Sequence, residues 1–279
     1  MAIQLKNLNV GDKVRLGKYQ VKNETKKDLI WQVAAKNHIG YPSNSVTLLT
    51  EKIIDVRGFD AKEPSNSNSD RKNYGNNRYK DSNLRQWLNK AGQPWFSKTH
   101  NADEPPTDAG MSHPTGYDTK QGFLSSFTQE ELNAILNTTL TVAKNTVTDG
   151  GGTEVVTDKV FLLSNTEVGL ANEPGGAEGS RLAMFSSDAS RIAYPTAQAV
   201  DNSNYSNTNF ATSKGWYWWL RSPSSGNSYS VRNVSTGGSL SSSGAFSGGS
   251  GVRPLCNLSS EILVSDTTDS DGCYTIIWN

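Results

Sequence analysis

The sequence predicts a loop-rich α+β domain with short antiparallel strands and two short helices. Three observations favour this fold class. Short runs of β-branched and aromatic residues recur between turn signals, two segments begin with helix-capping residues, and long polar stretches rich in Asn, Ser and Gly separate them. No part of the 279 residues has the composition of a clean linker, so we expect one elaborated domain over residues 1–279.

A three-stranded meander is expected near the start of the chain. Between residues 8 and 34, two apolar runs alternate with polar residues in the manner of strands. Gly17 lies inside this pattern and predicts a bulge or a bend. Val46–Thr50 supplies the third strand, and apolar residues continue to Val56.

Two helices can be placed by their start signals. A polar stretch at residues 63–80 predicts a long surface excursion, and Ser82 then provides an N-cap for the first helix. Thr128 and Glu131 fit a capping box for the second helix. Four prolines lie between the two segments, so ordered coil is expected there.

The second half of the chain predicts hairpins and loops. Gly150–Gly152 lies between Val/Thr-rich flanks and indicates a hairpin, and Val160–Ser164 reads as a short buried strand. Residues 172–209 are polar and predict loops. A second hairpin is expected around the turn Thr236–Gly238.

Charge and hydropathy exclude several partners. The 27 Lys and Arg residues balance 27 Asp and Glu residues, so long-range attraction to nucleic acid or to an anionic membrane is not expected. The N-terminus lacks the apolar run of a signal peptide, and no stretch has the length of a membrane span. We therefore expect a soluble protein that is made in the cytosol, without membrane insertion.

Few residues suggest chemistry. His38, His100 and His113 are scattered without metal-ligand spacing, so the sequence predicts no metal site, no cofactor and no catalytic residues. Cys256 and Cys273 lie near the C-terminus and could form a disulfide or stay reduced.

Residues 216–254 form the most informative part of the chain, which we call the display segment. An aromatic block opens it, Gly251–Pro254 closes it, and Ser and Gly dominate the interior. Strand alternation predicts that Trp216 and Trp218, or else their neighbours, face the core. Arg221 and Arg253 are expected to fix loops through bidentate or carbonyl contacts. We interpret four residues as structural anchors: Trp218, Trp219, Arg221 and Arg253.

Six motifs follow one another along the chain: Gly11–Tyr19, Ile30–Val33, Ser82–Asn89, Phe161–Ser164, Trp219–Pro223 and Gly251–Pro254. Together and in this order they resemble the bacterial and phage domain family DUF6273. That family is similar to the C-type-lectin-like fold of formylglycine-generating enzymes and of the variable proteins of diversity-generating retroelements. The resemblance implies a single C-type-lectin-like α+β domain whose C-terminal half presents a ligand surface.

The variable proteins place their diversified positions between motifs like the last two, which implies a ligand-binding role for the residues between them here. Their Ser, Asn and Tyr content is also typical of adaptable paratopes. The chain lacks a cysteine pair at the position that matches the enzymes' active site, which argues against catalysis. The predicted contact set is Ser224, Ser225, Asn227, Tyr229, Arg232, Asn233, Ser241, Ser242, Ser243, Phe246 and Ser247.

These observations predict a non-enzymatic ligand-binding module in a phage or prophage virion, as a tail-tip, fibre or capsid-decoration protein. Its partners would be a host-surface glycan or protein and other virion subunits, with a homo-oligomer as a further option. Two alternatives stay open: a purely structural virion assembly protein, and an enzyme or metal-dependent lectin of the same fold.

Overall fold

The computed structural model describes residues 1–19, 26–205 and 209–278. Its α-helices are α1 Ser69–Tyr74, α2 Asn83–Leu88, α3 Gln129–Ala134, α4 Asp188–Arg191 and α5 Ala197–Asn202. Its strands are β1 Ala2–Gln4, β2 Lys13–Tyr19, β3 Lys27–Lys36, β4 Ser45–Thr50, β5 Asp55–Val56, β6 Ile135–Leu136, β7 Thr138–Ala143, β8 Thr153–Asp158, β9 Val160–Phe161, β10 Trp218–Pro223, β11 Ser230–Val234, β12 Leu240–Gly244, β13 Gly251–Val252, β14 Leu255–Ser259, β15 Leu263–Ser265 and β16 Cys273–Ile277.

A large mixed sheet occupies one part of the fold. In the described ranges it has nine strands in the order β1-β15-β16-β2-β3-β4-β14-β6, and β9 also pairs with β14. Within the described part of this sheet, β16 and β2 are the only neighbouring strands that run parallel. The β2–β3–β4 meander confirms the predicted one, and the register shifts between Arg15 and Lys18 confirm the irregularity at Gly17. Gly17 has φ 73°, and a Cβ there would lie 2.7 Å from the Phe127 ring, so glycine is required.

The display segment builds the second sheet. Over the described residues this sheet has five strands in the order β12-β11-β10-β13-β5, with β10 and β13 parallel. The β11–β12 hairpin confirms the predicted turn at Thr236–Gly238. β7 and β8 form a separate hairpin around Gly150–Gly152, which was also predicted. β5 leaves the meander to pair with β13, so the second sheet is joined to the N-terminal half.

Both predicted helices are confirmed, with Ser82 capping α2 and the Thr128–Glu131 capping box opening α3. The coil predicted between them contains only 3₁₀ turns within the described residues. Three further helices of four to six residues escaped prediction because they lack the stripe of large apolar residues that marked α2 and α3. They lie in the stretches 63–80 and 172–209, which were predicted as loops.

The prediction of a surface excursion at residues 63–80 is wrong in another respect. Glu63, Asn76, Asn77 and Tyr79 have 1% or less of their surface exposed. Asn77 donates to the Asn227 carbonyl and accepts from Asn145, and Asn76 donates to Glu63. The stretch therefore places several polar side chains in the interior, while Lys72, Asn73 and Tyr74 stay exposed.

The fold is a sheet-rich α+β single domain around one continuous apolar core. Five tryptophans are among its largest fully buried side chains: Trp31, Trp87, Trp95, Trp218 and Trp219. Cys256 and Cys273 are both buried and unpaired. Among the described residues, every helix is too short and too polar to cross a bilayer.

Candidate ligand-binding surface

The aromatic block at β10 is a buried scaffold. Trp218 and Trp219 have no exposed surface, Trp216 is 5% exposed, and Tyr217 is 37% exposed. Trp216 and Trp218 are both buried, as the first of the two predicted alternatives has it. Trp219 is buried as well, because every residue of β10 is buried and both faces of the strand are covered. Each of the three indole N–H groups donates to a backbone carbonyl, which fixes the position of its ring.

Arg221 holds β10 to the loops beneath it. Its guanidinium donates to both carboxylate oxygens of Glu167, at 2.6 and 2.8 Å, and to the carbonyls of Leu162 and Glu178. Burial acts to lower the pKa of Arg221, but the charge and hydrogen bonds of Glu167 outweigh it and raise that pKa above its ordinary value. This bidentate pair is a fixed point below the display segment.

Arg253 fixes the other end of the segment. Its Nε donates to the Thr50 carbonyl at 2.9 Å, and its guanidinium lies 5.3 Å from the Trp218 ring centroid. Burial lowers the pKa of Arg253 to about 10. The two arginines therefore tie the display segment to the rest of the domain at both of its ends.

Four residues of the predicted contact set, Ser224, Ser225, Asn227 and Tyr229, lie in the loop between β10 and β11, and hydrogen bonds from inside the domain hold this loop. Asn77 Nδ2 donates to the Asn227 carbonyl at 2.9 Å, and Asn227 Oδ1 accepts from two N–H groups that follow it. Ser225 is 7% exposed, and its N–H donates to Glu173 at 2.9 Å. Ser224 is half-buried. Ser225 and Asn227 therefore support the loop as much as they face outward.

The β11–β12 hairpin divides its polar residues between two faces. Arg232 lies opposite Ser242, and Asn233 lies opposite Ser241, so strand alternation directs the two pairs to opposite sides of the sheet. Asn233 is fully buried and donates to Ser243 at 2.9 Å. Ser242 is exposed, whereas Arg232 is half-buried against Glu173. The predicted contact set is therefore not brought together on one face.

A cluster of three aromatic rings lies beside the base of the hairpin. The Tyr74 ring centroid lies 4.9 Å from that of Tyr229 and 5.7 Å from that of Phe246. The Phe246 N–H donates to the Tyr74 carbonyl at 2.9 Å, and Lys62 Nζ lies 5.2 Å from the Phe246 ring. Tyr74 is 40% exposed, and Tyr229, Phe246 and the following Ser247 are half-buried. We call Tyr74, Tyr229 and Phe246 the ring cluster.

Sequence reasoning missed Tyr74 and Lys62, because both lie more than 150 residues before the rings that they contact. Tyr74 is the first aromatic residue in a stretch otherwise composed of polar residues, which was a usable signal for an exposed ring. The structure joins it to two members of the predicted contact set, Tyr229 and Phe246.

A second polar cluster was also missed. Glu63, His100 and Asp103 each offer a ligand atom within 4.8 Å of the others, so these side chains could hold a metal ion. His100 Nε2 lies 2.9 Å from Glu63 Oε1, and this hydrogen bond raises the pKa of His100. Burial, together with the charges of Glu63 and Asp103, raises the pKa of nearby Asp60. The imidazole of His100 therefore already binds one carboxylate oxygen of this buried acidic group.

The fold and this surface define a sheet-rich α+β domain whose C-terminal half carries a hairpin on a buried aromatic strand. The chain belongs to the family described as a domain of unknown function (DUF6273), whose sequence model matches residues 44–260. This match confirms the resemblance seen in the motifs. Neither a curated protein nor a solved structure matches the chain.

Proposed function

We propose that this domain is a non-enzymatic ligand-binding module with a C-type-lectin-like fold, and that it recognises a glycan on a bacterial host surface as part of a phage or prophage virion. The observation that supports this proposal is the ring cluster of Tyr74, Tyr229 and Phe246 next to the hydroxyl-rich strand β12. The virion role follows from the resemblance to a bacterial and phage family.

The chemistry of the ring cluster suits a sugar. Aromatic rings offer flat apolar faces to the C–H groups of a pyranose, and a tyrosine hydroxyl adds a hydrogen bond at its edge. Tyrosine also contributes large contact area at low cost in conformational entropy. The nearby ammonium group of Lys62 and the hydroxyls of Ser243 and Ser247 would supply polar contacts around the rings.

The position of β12 supports a display role. It is the last strand of its sheet, and no strand among the described residues pairs with its outer edge. Ser242 is exposed and the other four residues are half-buried, and Leu240 packs against the core. Side chains here can therefore change with little effect on the core, as a recognition surface requires.

Binding of the purified protein to whole host cells tests the proposal. Changing Tyr74, Tyr229 or Phe246 to alanine should each weaken binding about tenfold or more, since aromatic anchors dominate recognition surfaces. Tyr194→Ala is the matched control, because Tyr194 is 42% exposed and lies outside the ring cluster. Circular dichroism verifies the fold of each variant. Unchanged binding by the triple alanine variant would rule out this surface.

Treatment of the cells identifies the ligand class. Loss of binding after periodate oxidation supports a glycan, whereas loss only after protease treatment points to a protein ligand. If a metal chelator abolished binding, the metal-dependent lectin alternative would be favoured. A stable homo-oligomer in which the ring cluster is protected from solvent would favour the assembly alternative.

A further inference from the structure

A cavity of about 290 Å³ lies beside the end of β2, and none of its lining residues belongs to the predicted contact set. Its walls come from β2, from residues 119–126 and from the end of α5. Small-molecule pockets begin at about 300 Å³, so this cavity has the size for a monosaccharide-sized ligand. Nothing described so far gives it a role.

The cavity is strongly cationic. Lys18, Lys26, Lys120 and Arg57 line it, and the described lining residues include no carboxylate. The whole chain has a formal charge of zero, so this concentration of positive charge is local. A concave site lined by one sign of charge raises the local concentration of ligands of the opposite sign.

Arg57 is held rigidly at the cavity wall. Its Nη2 pairs with Asp55 at 2.7 Å and donates to the Tyr19 hydroxyl at 2.9 Å. Its guanidinium carbon lies 4.4 Å from the Trp87 ring centroid and 4.6 Å from that of Tyr117. Nε and Nη1 have no hydrogen-bond partner among the described groups. Asp55 balances the charge of Arg57, which leaves the lysines in excess.

The three lysines are weakly engaged. Lys18 Nζ lies 3.5 Å from an Asp28 oxygen, and Lys26 Nζ lies 3.4 Å from the Ser125 carbonyl. The ammonium group of Lys120 makes no hydrogen bond or ion pair with any described residue. Among the described residues, therefore, a ligand could bind these ammonium groups without displacing a strong contact.

We propose that this cavity binds a small molecule that carries a phosphate group, of about the size of a sugar phosphate. A phosphate monoester carries about −1.5 to −2 charges at pH 7, which matches the excess of lysines better than a single carboxylate does. Lysine is a common phosphate ligand. The side chains of Gln121 and Ser126 line the same cavity and would bind the uncharged part of the ligand.

Isothermal titration calorimetry at low salt with three matched sugars tests the ligand class. Glucose 6-phosphate should bind measurably, glucuronate at least about tenfold more weakly, and glucose not at all. Tighter binding of glucuronate than of glucose 6-phosphate would overturn the assignment to phosphate. Equal heats for all three sugars would overturn the site itself.

Charge-matched variants test the location. Lys120→Gln should weaken binding of glucose 6-phosphate about tenfold, and Lys98→Gln should leave it unchanged. Lys98 is exposed and does not line the cavity, so it controls for the loss of one positive charge. Equal weakening by the two variants would indicate general attraction between charges and would overturn the proposal. Neither lysine is in the core, so both variants are expected to fold.

Discussion

Two strands of one sheet, β10 and β12, are separated only by β11, yet their surroundings differ completely. All six residues of β10 are buried, whereas every residue of β12 is half-buried or exposed, and only its first residue among them, Leu240, packs against the core. A side chain in β10 must fit rings, carbonyls and carboxylates that are already in place. A side chain in β12 meets solvent on at least one side. The display segment therefore combines an invariable anchor with a surface that can change at little cost in stability.

Charged residues show the same difference. Arg221 in β10 is 1% exposed and pairs with a glutamate that is fully buried. Arg232 in β11 also pairs with a buried glutamate, Glu173, but its own side chain is 25% exposed. Water can replace part of the second interaction and none of the first. The cost of losing each side chain should therefore fall from β10 towards β12.

The largest effect is expected at β10. Arg221→Met should lower the free energy of unfolding by about 3–5 kcal/mol, because it leaves the buried carboxylate of Glu167 without its cation. Urea denaturation followed by circular dichroism measures this change. The double variant Arg221→Met with Glu167→Gln should be more stable than the single variant, since the unpaired charge is then removed. If the single variant were as stable as the parent protein, Arg221 would not be the anchor that its contacts indicate.

An intermediate effect is expected at β11. Arg232→Ala should lower the free energy of unfolding by about 1–2 kcal/mol, towards the lower end of the ~1.5–3 kcal/mol for hydrogen bonds to charged groups, because the Arg232 side chain is 25% exposed. The loss is moderate because the Glu173 carboxylate still accepts two hydrogen bonds in the variant. These come from the N–H of Ser225, at 2.9 Å, and from Asn165 Nδ2, at 3.0 Å. The same urea titration provides the measurement. A loss as large as that of Arg221→Met would contradict the gradient across the sheet.

The contrast between local and distant contacts also explains what the sequence could predict. The hairpin turn at Thr236–Gly238 and the helix cap at Ser82 depend on residues that are adjacent in the sequence, so both could be predicted from it. The ring cluster joins Tyr74 to Tyr229, and no periodicity connects residues so far apart. The six-residue helix α1 was hidden for a related reason, because its stability comes from buried partners more than from its own pattern.

The burial of polar residues was the second feature that could not be predicted from the sequence. Asparagine is a residue type typical of loops and binding surfaces, yet Asn77 and Asn233 are both fully buried. Asn77 donates to loop carbonyls, and Asn233 donates to Ser243. Such residues satisfy the backbone of a loop-rich fold, and only the three-dimensional arrangement separates them from exposed contact residues.

The smallest effect is expected at β12, where a matched pair of serines gives the sharpest comparison. Ser242 is exposed, whereas Ser222 in β10 is fully buried, donates to Glu178 and accepts from the Asn165 N–H at 3.0 Å. Ser242→Ala should change the free energy of unfolding by no more than about 0.5 kcal/mol. Ser222→Ala should lower it by about 1–3 kcal/mol, because two buried groups lose their partner.

Larger side chains at the same two positions test whether β12 can vary in the way a recognition strand must. Ser242→Tyr should fold with nearly the stability of the parent protein, since its ring extends into solvent, whereas Ser222→Tyr should not fold because its ring meets packed core. Thermal unfolding of both variants measures this difference. Strong destabilisation by Ser242→Tyr would mean that β12 is as constrained as β10, and the surface would then be built for one fixed contact.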